Sequence, residues 1–257
     1  MESSLEAVRF LASSTNRVQV LTALVDRKAT RRELQEEVDC SRSTVARILN
    51  EAQSREWVDS EGSRYWLTPL GEAMVTDFRS YVETVDAYQH LGELVNHLPP
   101  PVFSLDVRHL RDAEVVEVTA ENPAAPFTRS LELFRDASEY RGLNNAGLPD
   151  HVRVLRDRVE AGHLEFTQVL ESDFIETIRA DPDRTAVWTA LEDSVRVYDG
   201  VVPINLHIVD GMVLVWLGEN RSEVVGLLVS ESPAVLSWAE SLYEEYRAGA
   251  EPLGELE

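Results

Sequence analysis

The sequence predicts an α+β chain in three parts: a small helical N-terminal domain closed by a β-hairpin, a helical linker, and a C-terminal α/β domain with a mixed sheet. Three observations carry this reading. Residues 14–68 hold short, capped amphipathic helices followed by a hairpin pattern. A long run with apolar residues at helical spacing comes next and stops at Pro99-Pro100-Pro101, because consecutive prolines cannot continue a helix. Beyond the prolines, helices and strands alternate, the pattern of a sheet covered by helices. The expected parts are therefore residues 1–68, 69–97 and 98–257.

In the first part, Ser14-Thr15-Asn16-Arg17 is expected to cap a helix with Val18, Val20, Leu21 and Leu24 on its inner face. Thr30 opens a short helix over Arg31–Val38, with Glu33 placed for a capping box. Asp39-Cys40-Ser41 makes a tight turn, in which Cys40 reads as a small, partly buried turn residue, the alternative being a redox-sensitive thiol whose oxidation displaces the next helix. Ser41 caps that helix, where Val45, Ile48, Leu49 and Ala52 form the buried stripe.

At about 100° per residue, Arg42, Ser43, Ala46, Arg47 and Asn50 then face away from the core. That face is small, polar and basic, with no carboxylate before Glu51. It suits the major groove of double-stranded DNA, where arginine pairs with guanine and asparagine with adenine. Ser41, Ser43 and Thr44 at the helix start suit phosphate contacts, as do Arg31 and Arg32 on the preceding helix. The stretch from Trp57 to Thr68 reads as a hairpin, with Arg64 near its tip as a further backbone contact.

The linker runs from Pro69 to Asn96, with Leu70, Met74, Phe78, Tyr81, Val85, Leu91 and Leu94 at helical spacing. Its apolar stripe exceeds what one small domain needs, so a homodimer is expected. Two-fold symmetry would match a pseudo-palindromic DNA site.

In the third part, strands are expected at Val115–Thr119, Leu164–Leu170, Ser194–Tyr198, Ile204–Val209, Met212–Leu217 and Val224–Val229. Helices are expected at Phe127–Ala137, followed by a short apolar piece near Tyr140–Leu143, from Pro149-Asp150 to Glu160 with a stop at Gly162, from Ser172-Asp173 to about Ile178 with Asp183–Leu191 continuing or restarting it, and from Ser232-Pro233 to Arg247. Asp210-Gly211 is a strong type I′ hairpin signal. Loops after strands are where open α/β sheets bind ligands, so Arg141, Asn144, Asn145, Tyr198 and Asp199 are the candidate residues for a small-molecule effector.

Composition limits the alternatives. Hydrophobic residues make up 44% of the 257, enough for a sizeable core. No segment approaches the roughly 18 apolar residues of a membrane span, and MESSLEAVRF is not a leader sequence. No membrane association and a cytoplasmic setting are expected. One cysteine excludes an internal disulfide framework and a cysteine-based zinc site.

No histidine is followed two residues later by lysine, no spaced glycine fingerprint is present, and no serine sits in a nucleophile elbow. Catalysis, a metal site and a cofactor are not expected. His90, His97, His109, His151, His163 and His207 are scattered and read mainly as surface or interface groups. Trp188, Trp216 and Trp238 read as core or dimer contacts.

The net charge is −22, with 46 acidic and 24 basic residues, and Lys28 is the sole lysine. Scattered acids of this kind suit a halophilic proteome better than a disordered acidic tail. Residues 1–68 carry ten basic and eleven acidic side chains, whereas the remainder carries fourteen and thirty-five. A near-neutral segment in so acidic a chain fits contact with a polyanion.

The run RRELQEEVDCSRSTVARILNEAQSREWV followed by GSRYWLTPLGE resembles the winged helix-turn-helix regulators of archaea and bacteria, in the arsenic-repressor and sugar-regulator style. The wing and the following Thr-x-x-Gly turn into a helix carry much of that match. The third part is similar, more weakly, to the family named for a methanogenesis regulator's middle domain. The resemblance implies a sequence-specific transcriptional regulator with a ligand-sensing or dimerising domain. The alternative is a DNA-binding adaptor whose acidic domain recruits protein partners and senses nothing.

Overall fold

A computed structural model describes residues 2–218 and 223–254. Met1 and residues 255–257, expected to belong to the terminal domains, lie outside the described residues. The chain forms two compact units, Met1–Val85 and Asp86–Glu257.

The first unit begins with α1 (Glu2–Ala12), a helix that the sequence reading did not include, and α2 (Thr15–Thr22). Ser14 has the extended backbone of an N-cap, but its side chain makes no capping hydrogen bond. The two-residue strand β1 (Ala29–Thr30) leads into α3 (Arg31–Glu37). Here the expected capping box forms: Thr30 Oγ1 accepts from the Glu33 amide at 3.3 Å, and the Thr30 amide donates to the Glu33 carboxylate at 2.7 Å. A turn through Cys40 connects to α4 (Arg42–Gln53), capped by Ser41, whose Oγ accepts from the Thr44 amide at 3.1 Å. Then come β2 (Val58–Glu61), β3 (Arg64–Leu67) and the long helix α5 (Pro69–Leu91).

The small sheet has the order β1-β3-β2, so the hairpin is joined by a third short strand that the sequence did not announce. Val20, Leu21, Leu34, Val45, Ile48 and Leu49 form the centre of this unit's core. The unit is thus a helical body followed by a hairpin and the start of a long helix, the element order expected from residue 14 onward.

Thr68-Pro-Leu-Gly71 turns the chain from the hairpin into α5 by a specific device. The Thr68 hydroxyl donates to the Glu56 carbonyl at 2.7 Å and accepts from the Gly71 amide at 3.1 Å. Gly71 packs so closely on Trp57 that a Cβ there would lie 2.0 Å from the Trp57 carbonyl oxygen. After Leu91 the helix tightens into a 3₁₀ segment, Gly92–His97. The proline run follows as a further 3₁₀ turn, Pro100–Ser104, and lies inside the second unit, where Leu98 and Val102 are buried.

The second unit contains β4 (Glu114–Glu117), α6 (Ala125–Asp136), β5 (Glu139–Asn144), α7 (Pro149–Glu160), β6 (Glu165–Glu171), α8 (Ser172–Arg179) and α9 (Pro182–Thr189). It continues with β7 (Val195–Tyr198), β8 (Leu206–Val209), β9 (Met212–Leu217), β10 (Gly226–Ser230), α10 (Pro233–Ala248) and β11 (Glu251–Pro252). Its sheet has the order β11-β7-β6-β5-β8-β9-β10-β4. The β5–β6 and β6–β7 pairs are parallel, and the others are antiparallel.

The parallel part arises because helical crossovers separate β5, β6 and β7. Where helices cover both faces, strands read as continuous apolar runs, as in β8 and β10. One core packs Phe134, Val152, Leu155, Phe174, Ile175 and Trp188 of α6–α9 on one face. The other packs α10 residues such as Val235, Ala239 and Tyr243 on the opposite face.

The antiparallel β8–β9 hairpin turns through Asp210 and Gly211, with φ of 47° and 83°, as Asp-Gly predicts. The turn is also tied to the sheet. The Asp210 carboxylate accepts from the Ser138 hydroxyl at 2.7 Å and from the Glu139 amide at 2.8 Å. Burial opposes its ionisation, but the hydrogen bonds from Ser138 and Glu139 outweigh it, and the carboxyl sits below its ordinary range.

Candidate functional site

Two places concentrate polar side chains with geometry that calls for a partner: the outer face of α4 in the first unit, and a cavity in the second.

On α4 the apolar stripe buries Val45, Ile48, Leu49 and Ala52. Arg42, Ser43, Arg47 and Asn50 are left exposed on the other side, and Ser41 is exposed at the helix start. Thr44 is half-buried, and its hydroxyl lies 2.8 Å from Ser41 Oγ, which also meets Ser43 Oγ at 2.8 Å. Arg32 is exposed and lies 3.7 Å from Glu36. Arg31 is half-buried with its guanidinium over the Tyr65 ring, 5.1 Å from the centroid. Arg64 is exposed at the start of β3, opposite Thr30 in one register and Glu61 in the other.

Sequence reasoning missed the partner that Arg47 already has. Arg47 donates to Glu51 at 3.0 Å, and Arg17 of α2 grips the other Glu51 oxygen at 2.8 Å. Burial pushes the Glu51 carboxyl up, but the Arg47 hydrogen bond and the Arg17 charge win, and it lies below the ordinary glutamate range. The i,i+4 spacing of Arg47 and Glu51 was legible. The convergence of Arg17 required the fold.

In the second unit, a cavity of about 700 Å³ opens between α6–α9 and the sheet. That is an ordinary size for a small-molecule site. Its floor is a chain of amides and imidazoles whose orientation can be followed from the backbone. The Asn145 amide N–H donates to Asn205 Oδ1 at 3.0 Å, which orients the Asn205 side chain. Asn205 Nδ2 donates back to Asn145 Oδ1 at 2.9 Å. Asn144 Nδ2 points to Asn205 Oδ1 at 3.5 Å, so Asn144 Oδ1 is left to accept from Gln168 Nε2 at 2.9 Å.

His207 lies beside this chain on β8. Trp216 Nε1, which can only donate, points to His207 Nε2 at 2.9 Å. A neutral His207 therefore carries its proton on Nδ1 and donates it to the Tyr140 hydroxyl oxygen at 2.6 Å. His151 Nε2 lies 2.7 Å from Ser130 Oγ. The same oxygen lies 3.0 Å from the Phe127 carbonyl, which can only accept; with the Ser130 proton assigned to that carbonyl, His151 Nε2 is the donor and Nδ1 is a bare acceptor. Burial holds both imidazoles neutral, His151 down to about 4 and His207 down to about 3, the latter helped by the neighbouring His151. Burial also pushes the Tyr140 hydroxyl up.

Strand pairing explains the juxtaposition. Gly142 on β5 pairs with Gln168 on β6 and with His207 on β8, so the three form one row across one sheet face. Gly142 is the centre of that row because a Cβ would stand 2.8 Å from both Asn144 Oδ1 and the Tyr140 hydroxyl. The walls are aromatic: Phe127 and Trp216 lie 5.3 Å apart at 34°, and Phe174 and Trp188 lie 6.3 Å apart edge to face.

The structure divides the five residues named from sequence as a ligand site. Asn144 and Asn145 line the cavity. Arg141, a strand residue and not a loop residue, points to the α10 side, where it pairs with Glu240 at 2.9 Å. Tyr198 packs on Tyr246 at 4.8 Å, and Asp199 is exposed beyond it. The physical reason is strand alternation: Arg141 is one residue out of phase with Tyr140, Gly142 and Asn144. His151 and His207, read from sequence as surface or interface groups, are buried in the cavity network. Trp188 and Trp216 are wall residues of the cavity as well as core residues. Among the described residues, no cluster of His, Cys, Asp or Glu is suited to a metal ion, and no helix is long and apolar enough to cross a membrane.

Residues 123–249 match the family model of the methanogenesis regulatory protein FilR1, middle domain. The second unit is similar to that FilR1 domain. Residues 5–90 match the model of the HVO_A0261 N-terminal domain. The FilR1 match contains the whole row of cavity residues from Phe127 to Trp216, and the HVO_A0261 match contains α4 and the hairpin. No curated protein matches the chain.

Among solved structures, the archaeal chromatin protein TrmBL2 aligns with 16% identity over 97% of this chain and 100% of its own, with a TM-score of 0.40. The phospholipase D family member Nuc from Salmonella typhimurium aligns with 12% identity over 54% of this chain and 95% of its own, at 0.43. A transcriptional regulator from Rhodococcus sp. RHA1 aligns with 12% identity over 94% and 92%, at 0.26. At these scores none of them assigns a fold or an activity to this chain.

Proposed function

We propose that the chain is a sequence-specific, double-stranded-DNA-binding transcriptional regulator, acting as a homodimer and modulated by a small molecule held in the cavity of its second unit. In this reading residues 1–68 bind DNA, 69–97 link and dimerise, and 98–257 form the effector domain. No step of chemistry is assigned to it, and it works in the cytoplasm of a salt-adapted cell.

The observation that carries the reading is the outer face of α4. A buried stripe fixes the helix, and the opposite face presents Arg42, Ser43, Arg47 and Asn50 to solvent. Those are residue types that read base edges and phosphates in the major groove. Arg31, Arg32 and Arg64 supply positive charge near the ends of that surface, and Ser41 and Thr44 supply hydroxyls at the helix start. Glu51 keeps Arg47 extended along the helix until a base edge or phosphate competes for it. The match to a domain of a protein named as a regulator supports the same reading.

The test is a gel-shift titration of the full chain on its operator, selected from random duplexes. Arg47→Ala is expected to weaken specific binding by about 1–3 kcal/mol, the worth of one good base contact. Unchanged affinity would remove Arg47 from the interface, and no operator from the selection would overturn the reading itself.

A further inference from the structure

The hydrogen-bond inventory of the cavity floor leaves a remainder. Gln168 Oε1 is buried without a partner, on a residue only 4% exposed. His151 Nδ1 is likewise buried without a partner, on a residue 7% exposed. Both residues line the cavity. Buried acceptors without donors are rare in folded proteins because each forfeits its bond to water. The amide and tautomer orientations of the floor make both atoms lone-pair acceptors. They also leave the Tyr140 hydroxyl proton without an acceptor among the described residues, since that oxygen already accepts from His207.

Among the described residues the floor thus offers two unfilled acceptors and one unfilled donor, and no charged group. Glu171 is buried nearby, but its carboxylate accepts from the Val202 amide at 2.8 Å and does not line the cavity. Among the described residues, two charged side chains line it, both on its walls: Arg184 is 3.4 Å from Asp181, and Glu223 is exposed to solvent. An anion on this floor would meet two lone pairs, and a cation would find no buried carboxylate to compensate it. The two aromatic pairs on the walls favour flat rings.

We infer that the cavity binds an uncharged, planar ring compound carrying at least two N–H or O–H donors, which meet Gln168 Oε1 and His151 Nδ1. Its carbonyl or ring nitrogen would accept from Tyr140. This identification of the ligand class rests on the proposed sensor role of the second unit.

Three isosteric probes separate charge from shape: 4-hydroxybenzamide (neutral), 4-hydroxybenzoate (anionic) and 4-hydroxybenzylamine (cationic), with adenine as a second neutral ring. Binding is followed on the full chain in molar KCl, by tryptophan fluorescence and by the shift in unfolding temperature. At least one neutral probe is expected to saturate, with both charged isosteres weaker by about tenfold or more, since burying an uncompensated ion is costly. Gln168→Met removes the acceptor at nearly constant volume, and is expected to weaken the neutral probe by about fivefold or more through one lost hydrogen bond. His151→Phe serves if Gln168→Met does not fold.

Equal binding of a charged isostere, wild-type affinity in the folded variant, or no saturation by either neutral probe would overturn the inference. The experiment contains no DNA. Loss of operator binding with probe binding intact sinks only the DNA reading, and the converse sinks only the assignment of the ligand class.

Discussion

His151 and His207 differ from the other four histidines in being buried, and this has a measurable consequence. Both are held neutral by burial, with values of about 4 and about 3. In the unfolded chain they titrate near 6.5. Between those limits the unfolded chain binds more protons than the folded one, so stability rises with pH. The contribution is complete above about pH 6.5 and is lost as pH falls toward 4. The urea midpoint of the second unit's transition is therefore expected to fall from pH 7 to pH 5, before most carboxylates titrate. In His151→Asn, which cannot take up a proton, the fall should be shallower. A midpoint that is flat from pH 7 to 5, or a variant slope equal to wild type, would show that these imidazoles are not sealed from solvent.

At the scale of elements, the junction between hairpin and α5 is the most constrained piece of the first unit. Thr68 closes it with two side-chain hydrogen bonds, and Gly71 lets the first turn of α5 touch the Trp57 backbone. Nothing flexible lies in the way of a side chain there, so the helix itself would have to move. Gly71→Ala is expected to destabilise the first unit by about 3 kcal/mol or more, the upper range for overpacking. Thermal unfolding followed by circular dichroism checks this, and a loss below about 1 kcal/mol would mean the junction gives way easily. The Thr-x-x-Gly spacing was visible in the sequence. Its cause, a backbone contact across the hairpin, was not, because Trp57 and Gly71 meet only once β2 and β3 have paired.

At the scale of the whole molecule, charge and exposed apolar surface pull in opposite directions. A net charge of −22 repels a second copy at low salt. Yet Leu70, Tyr81 and Tyr88 are 52%, 64% and 43% exposed on α5, and their spacing places them on one side of that helix. The proposed homodimer would cover this stripe. Screening by molar salt removes the repulsion while leaving burial intact. Light scattering is therefore expected to give a dimer mass in molar KCl and a smaller mass at low ionic strength. Tyr81→Glu should shift the high-salt species to monomer. A monomer at high salt, with and without DNA, would exclude the two-fold arrangement.

The periodicities and caps of the sequence determined where helices and strands would lie. Apolar residues at spacings of three and four identified α4, and its Arg42, Ser43, Arg47 and Asn50 face followed directly. The capping box at Thr30 and the Asp210-Gly211 turn were equally local, because their partners lie within a few residues. The elements that escaped include the N-terminal helix α1, the central strand β5, and β1 and β11, the last two being two-residue strands defined only by what they pair with. The cavity belonged wholly to the tertiary structure. Its floor is one row across three strands, set by the register of Gly142 with Gln168 and His207. Helices from four separate segments close over that row. No sequence window spans such a row. The same histidine, glutamine and tyrosine that look unremarkable along the chain acquire a role only when strand pairing brings them together and burial removes their water.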